Sequence, residues 1–111
     1  MNPHTLDQVY DVIAARVASY EEGEVDPLSR THKLLKAGRA KIAQKLGEEA
    51  VEVVIEAVGG KKKLLVEESA DLLFFLTLLW AERGIEPEKV WAELGERLNL
   101  PESQERARRK A

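Results

Sequence analysis

Two pairs of acidic residues at helical spacing constrain this chain more than any other feature. Glu49 precedes Glu52 by three positions, and Glu68 precedes Asp71 by the same interval. Residues three apart share one face of a helix, with their Cβ atoms about 5–6 Å apart. Each pair therefore predicts two neighbouring carboxylates, provided that both segments are helical.

The segments around these pairs are apolar on nearly every side. From 50 to 58 the only polar residues are Glu52 and Glu56, and from 72 to 81 the only one is Thr77. A helix with so little polar surface is normally buried. A buried carboxylate has to be paired, protonated or bound to a metal ion. The rest of the sequence has to indicate which of these three states applies to the four acids.

The remaining pattern predicts an all-α fold, a helical bundle of four to five helices. Prolines stand only where helices would begin or end, and no alternation of apolar and polar residues indicates a strand. The main helices are predicted over 5–20, 40–58, 64–83 and from 87 onward, with Gly59-Gly60 as a left-handed cap. Because one chain of 111 residues cannot cover the long helices on every side, we expect a homodimer to complete the core.

Composition limits the partners and the setting. A net charge of −3 gives no reason to expect a nucleic-acid partner. No apolar run approaches the about 20 residues that cross a bilayer, and the first residues lack a secretion signal. The absence of cysteine favours a reducing cytoplasm. We expect a soluble, cytoplasmic protein with one domain over 1–98 and a polar, flexible tail over 99–111, for which a phosphate-attracting arm is the alternative.

Two interpretations of the acidic pairs remain open from the residues alone. In the first, the acids form ordinary salt bridges with Lys41, Lys45 and the lysines of 61–63. In the second, carboxylates held close together require a compensating cation. Oxygen ligands without cysteine or a second nearby histidine favour Mg²⁺ or Mn²⁺ over zinc or iron. The isolated His32 is expected to be structural.

A metal site would sit directly after a basic segment, residues 29–45. Metal and basic side chains together can share the charge of a polyphosphate. The chain has no glycine-rich phosphate loop, and no serine or cysteine paired with a histidine indicates a covalent nucleophile. The simplest remaining reaction is attack of a metal-activated water on a phosphoanhydride.

The same residues resemble a known family. KLGEEAVEVVIEA at 45–57, EESADLLFFLTLL at 67–79 and RGIEPEKVWAEL at 83–94 are similar to the phosphoribosyl-ATP pyrophosphatases of histidine biosynthesis. These enzymes belong to the all-α, MazG-like nucleotide pyrophosphatases, which carry ExxE and then ExxD on successive helices. The likeness extends from about Leu6 to Leu98.

The resemblance implies Mg²⁺-dependent hydrolysis of phosphoribosyl-ATP to phosphoribosyl-AMP and pyrophosphate by a homodimer. It implies that the metal ligands are Glu49, Glu52, Glu68 and Asp71. Glu48 would bind metal too or orient the attacking water, a catalytic role in which Glu49 is the other candidate. The side chains that neutralise phosphate charge would be Arg30, Lys33 and Lys45.

The chain departs from the family pattern at two places. Arg30 stands where an aromatic residue is usual, and Phe74-Phe75 stands where Tyr-His is usual. These differences keep open a MazG-like pyrophosphatase that acts on another nucleoside triphosphate. From a different class, a non-catalytic dimeric helical module would use the same acids only to pair with lysines.

Overall fold

Five α-helices account for most of the computed structural model, which describes residues 5–101, 103 and 104. The helices are α1 (Thr5–Glu21), α2 (Arg30–Ala37), α3 (Arg39–Gly59), α4 (Lys62–Arg83) and α5 (Pro87–Leu98). No strand occurs in these ranges, so the predicted all-α architecture is confirmed. None of the five helices is long and apolar enough to span a membrane. The tail predicted over 99–111 lies mostly outside the described residues.

Gly38 divides the basic segment into two helices. Its φ of 103° and ψ of 163° belong to a region that is essentially restricted to glycine. The preceding helix, α2, begins after Ser29, whose hydroxyl accepts a hydrogen bond from the backbone N–H of His32 at 3.1 Å. The chain therefore changes direction between α2 and α3 without an intervening loop.

α3 and α4 form a helical hairpin that is joined by only Gly60 and Lys61. The left-handed cap predicted here is wrong, because Gly60 is extended with φ −91° and ψ −177°. Glycine is needed at this position for space, since the carboxylate and backbone of Glu56 occupy the place of a Cβ atom. A left-handed glycine ends α4 instead, where Gly84 has φ 73° and ψ 26°.

The core lies where α1 crosses the hairpin. Ile13, Val17, Ile42 and Leu78 form one buried cluster contributed by α1, α3 and α4. α5 is attached through Trp91, whose ring meets that of Trp80 edge to face at 5.9 Å. The Trp91 indole also donates a hydrogen bond to a carboxylate oxygen of α1 at 3.2 Å. These contacts fix α5 against both the start of α1 and the end of α4.

The outer side of α3 is apolar and open. The only residue of α3 that is buried is Ile42, and Val58 on the opposite side is 85% exposed. A single chain therefore leaves this side of α3 uncovered, which agrees with the expectation that one chain cannot bury the long helices on every side. As a consequence the acidic residues are half-buried or exposed rather than fully enclosed.

Candidate metal centre

The hairpin brings three of the four predicted metal ligands together. Glu49 of α3 and Glu68 and Asp71 of α4 each offer a carboxylate oxygen, and these oxygens all lie within 4.8 Å of one another. We call these three residues the carboxylate cluster. All three are half-buried, so the cluster is partly shielded from water but remains open to a ligand.

A salt bridge at the far end of the hairpin holds the two helices in this register. Arg39, at the start of α3, donates from Nε and Nη2 to the two carboxylate oxygens of Glu82 at 2.7 and 2.9 Å. Such a two-pronged arrangement fixes geometry as well as contributing energy. With the start of α3 tied to the end of α4, Glu49 is placed opposite the first half of α4.

None of the ion pairs within residues 5–101, 103 and 104 involves the carboxylate cluster. Oε2 of Glu49 is buried and has no hydrogen-bond partner among the residues that the structure describes. A hydrogen bond with Glu49 raises the pKa of Glu68 to about 7, and burial and the negative charges of Glu49, Glu52 and Asp71 act in the same direction. The metal-free cluster therefore keeps a proton up to a pH well above the ordinary carboxyl range, where a cation would otherwise compensate the charge.

This set of ligands fits a hard divalent cation. All three donors are carboxylate oxygens, the ligand type that Mg²⁺, Ca²⁺ and Mn²⁺ prefer. The unpartnered oxygen of Glu49 and the raised pKa of Glu68 are what a site without its cation would show. Three carboxylates also leave coordination positions for water and for phosphate oxygens.

Glu52 and Glu48 lie outside the carboxylate cluster. Glu52 is exposed, although its charge contributes to the raised pKa of Glu68. Glu48 is exposed too, and accepts a hydrogen bond from Nε2 of Gln44 at 3.0 Å. That hydrogen bond, followed by the charge of Lys45 with its Nζ at 3.6 Å, lowers the pKa of Glu48. Glu48 thus stays ionised and is held away from the cluster.

The three predicted phosphate-binding residues have different surroundings. Lys45 is paired with Glu48, and Lys33 is exposed on α2. The guanidinium of Arg30 lies over the ring of Phe74, 4.4 Å from its centroid, and 5.1 Å from that of Phe75. The two departures from the family pattern are therefore in contact. Sequence reasoning identified each departure but did not predict the contact between them. The signal that could have indicated it was a cation at one departure and two aromatic rings at the other.

His32 is structural, as expected. Its Nδ1 accepts a hydrogen bond from the backbone N–H of Asp26 at 2.8 Å. Its Nε2 lies 2.9 Å from the carbonyl oxygen of Arg16 and 3.2 Å from the hydroxyl of Ser19. Because a carbonyl can only accept, Nε2 carries the proton in this arrangement. Both ring nitrogens are engaged in joining α1, α2 and the loop between them, so neither is available as a ligand.

An open cavity lies between the end of α1 and the start of α2. Its volume is about 880 Å³, and its lining includes the cations Arg16 and Arg30 together with Ser29 and the acid Asp26. This volume is within the range of small-molecule binding sites. Sequence reasoning did not predict this cavity, because the loop that forms one of its walls has no regular pattern.

Comparison with known proteins finds one family that matches nearly the whole chain, including the carboxylate cluster. Residues 6–98 match the family model described as phosphoribosyl-ATP pyrophosphohydrolase. A phosphoribosyl-ATP pyrophosphatase of Azospirillum brasilense is 51% identical over 83% of this chain and 78% of its own. The proteins of that name from Rhodospirillum rubrum and Sulfurisphaera tokodaii are 42% and 38% identical, over 99% and 88% of this chain and 93% and 99% of theirs. The chain belongs to the phosphoribosyl-ATP pyrophosphohydrolase family, as the resemblance of its acidic motifs predicted.

Proposed function

We propose that this chain hydrolyses phosphoribosyl-ATP to phosphoribosyl-AMP and pyrophosphate with Mg²⁺ as its cofactor. The observation that carries the proposal is the carboxylate cluster, since it lies within the part of the chain that matches the family model. The names of the relatives supply the substrate. We place the reaction in the cytoplasm, the setting expected of a chain without cysteine.

Glu49, Glu68 and Asp71 would hold the cation, with Glu52 as a fourth ligand that reaches the cluster by a change of its side-chain conformation. Mn²⁺ is the expected substitute, because it shares the preference for oxygen ligands. When bound, the cation would neutralise phosphate charge and make a water molecule more acidic. The raised pKa of Glu68 supports this assignment, because a bound cation takes the place of the retained proton.

The remaining site residues would act on the water and on the phosphates. Hydrolysis joins the water oxygen to phosphorus, breaks the bridging P–O bond between the α and β phosphates and releases a proton. Either Glu49 or Glu48 would orient that water, and Glu48 stays ionised because its hydrogen bond with Gln44 and the charge of Lys45 lower its pKa. Lys45, Lys33 and Arg30 supply positive charge for the phosphates.

Substitution of the cluster residues tests this proposal. Asp71→Asn and Glu49→Gln should each lower kcat/KM for phosphoribosyl-ATP by at least about 100-fold, more than is typical for residues that only support a ligand. Release of pyrophosphate provides the measurement, and Glu52→Gln tests the fourth ligand. Glu67→Gln is the matched control, because it removes an exposed carboxylate from the neighbouring position of α4. Equal rates for wild type, Asp71→Asn and Glu49→Gln would remove the metal-dependent mechanism.

A second substrate class is favoured by one observation. The contact of Arg30 with Phe74 and Phe75 replaces the side chains usual in the family at positions next to the site. A MazG-like pyrophosphatase acting on another nucleoside triphosphate is therefore the alternative. Incubation with phosphoribosyl-ATP and with a set of unmodified nucleoside triphosphates distinguishes the two, since turnover of the latter alone excludes the first.

The effect of Mg²⁺ on stability distinguishes either of these two pyrophosphatase activities from a non-catalytic helical module. A single site at a Mg²⁺ concentration of about 100 times its Kd adds about 2.7 kcal/mol to the free energy of unfolding. Chemical denaturation with Mg²⁺ and with EDTA measures this difference, and Asp71→Asn should abolish it. A wild-type protein that is unaffected by Mg²⁺ would favour the module whose acids only pair with lysines.

We also propose that the chain forms a homodimer through the outer side of α3. Val51, Val54 and Ile55 are each more than half exposed, and with Val58 they repeat at helical spacing. At about 100° per residue, Val51 points about 180° away from the buried Ile42. An apolar stripe opposite the side that the chain itself covers indicates a further helical surface, which a second copy would supply.

A further inference from the structure

Arg30 occupies an unusual environment for an exposed cation. Its guanidinium lies 4.4 Å from the ring centroid of Phe74 and 5.1 Å from that of Phe75. Both distances are within the about 6 Å over which a cation is attracted to the face of an aromatic ring. The two rings meet edge to face at 5.3 Å, and Phe75 is 2% exposed. Arg30 therefore rests on a fixed aromatic surface, which we call the Phe74–Phe75 platform.

The hydrogen-bonding groups of the Arg30 guanidinium remain available. Among residues 5–101, 103 and 104, the ion pairs involve Arg39, Lys45 and Arg97 but not Arg30. The guanidinium donates its N–H groups in its own plane, whereas stacking uses its faces. Arg30 can thus stay on the platform and bind a phosphate with two N–H groups at the same time.

The Phe74–Phe75 platform lies on the same helix as two residues of the carboxylate cluster. Phe75 follows Asp71 by four residues on α4, one helical turn, where Cβ atoms are about 5–6 Å apart. Arg30 also lines the cavity between α1 and α2. Arg30 is thus in contact with the aromatic pair that follows Asp71 on α4 and also forms part of the cavity wall.

We propose that Phe74 and Phe75 are positioning residues that hold Arg30, at the wall of the cavity, as a preformed clamp for a phosphate of the ligand bound at the carboxylate cluster. This inference rests on the proposed function, because it assigns the clamp to the polyphosphate of that substrate. A long side chain that is ordered before binding loses less conformational freedom when the phosphate arrives. Arg30 gains that order from the platform instead of from an acidic partner that would compete with the phosphate.

A double-mutant cycle tests the inference. Phe75→Leu should lower kcat/KM by about 3- to 30-fold, the range of cation–π interactions. Arg30→Ala should cause a larger loss, and Phe75→Leu should then change kcat/KM less than twofold in the Arg30→Ala background. Losses that multiply in the double variant would overturn the inference, because they would show that Phe75 acts independently of Arg30.

Conservative variants separate positioning from folding. Phe75→Tyr retains an aromatic ring and should keep most of the activity that Phe75→Leu loses. Arg30→Lys retains the charge but not the planar guanidinium group, and it should not recover the activity that Arg30→Ala loses. Phe74→Leu, at a half-buried position, repeats the cycle if Phe75→Leu unfolds. Ile13→Val is the control for lost packing and should lower the denaturation midpoint without changing kcat/KM. A full recovery with Arg30→Lys, or none with Phe75→Tyr, contradicts the platform.

A binding measurement keeps this test apart from the test of the proposed function. Calorimetry with inorganic pyrophosphate, with Mg²⁺ and with EDTA, should show the same non-additive losses of affinity in the four proteins of the cycle. If wild type turns over no phosphoribosyl-ATP but the binding cycle is non-additive, the proposed substrate fails and the clamp stands. If wild type is active and both cycles are additive, the clamp fails and the substrate stands.

Discussion

The Glu49–Glu68 contact connects the site to the energetics of the folded chain. Two carboxylates at this distance cannot both be ionised without cost, so the folded chain binds a proton that the unfolded chain releases. The pKa of Glu68 rises from 4.5 to about 7 through its hydrogen bond with Glu49, with burial and neighbouring charges adding to it. A folded state that binds more protons is stabilised by acid over that interval.

The free energy of unfolding of the metal-free protein should therefore fall as pH rises from about 4.5 to about 7. The stabilising effect of the proton is fully present below the unfolded pKa and is lost above the folded one. Chemical denaturation in EDTA at several pH values measures it. Glu68→Gln should flatten the dependence, since an amide does not titrate, whereas Glu67→Gln should leave it unchanged. A wild-type curve that rises over this interval would contradict the shared proton.

The spacing of the acids was sufficient to predict Glu68 and Asp71 as neighbours, because residues three apart share one face of a helix. Glu49 joins them from α3, a contact that depends on how the two helices pair. The spacing was insufficient for Glu52 and Glu48, whose side chains reach solvent and a lysine respectively. Their conformations depend on local partners that no periodic pattern encodes. The contact of Arg30 with Phe74 depends on how α2 packs on α4, which the sequence alone does not specify.

Glycines set the directions of the helices, each for its own reason. Gly38 and Gly84 have positive φ values of 103° and 73°, whereas Gly60 is required for space beside Glu56. The sequence indicated glycine as a helix terminator at the connection between α3 and α4 and again after α4. It could not distinguish a conformational requirement from a steric one, since both select the same residue.

Gly38→Ala should destabilise the protein by about 1–3 kcal/mol, because alanine is strained in a backbone conformation that is otherwise restricted to glycine. Gly95 provides the matched control within α5. A Cβ at Gly95 would have nothing within 4 Å, so Gly95→Ala should stabilise the helix by up to about 1 kcal/mol. Thermal and chemical denaturation of both variants give the comparison. A Gly38→Ala protein as stable as wild type would mean that α2 and α3 can join in another way.

The whole molecule presents two different sides of α3. One side carries Ile42 into the core and places Glu49 at the cluster, while the other exposes a valine and isoleucine stripe. The sequence predicted apolar residues around the entire helix and hence burial, which requires more surface than one chain can offer. The exposed stripe is the part of α3 that a single chain leaves uncovered.

Charge on the stripe should prevent self-association. Ile55→Lys and Val54→Lys should convert a dimer of twice the 12.5 kDa chain mass to a monomer, because lysine is costly to bury at an apolar contact. Light scattering after size-exclusion chromatography measures the mass. Leu98→Lys is the control, since Leu98 is 85% exposed at the end of α5. A wild-type mass of 12.5 kDa at micromolar concentration would argue against the dimer.

The two-residue connection between α3 and α4 also has a kinetic meaning. Contacts between adjacent segments close with little loss of chain entropy, so a helical hairpin can form early in folding. Because the carboxylate cluster belongs wholly to this hairpin, repulsion between Glu49 and Glu68 acts while the first long helices are still pairing. A proton or a divalent cation between these residues should therefore speed folding as well as stabilise the folded chain.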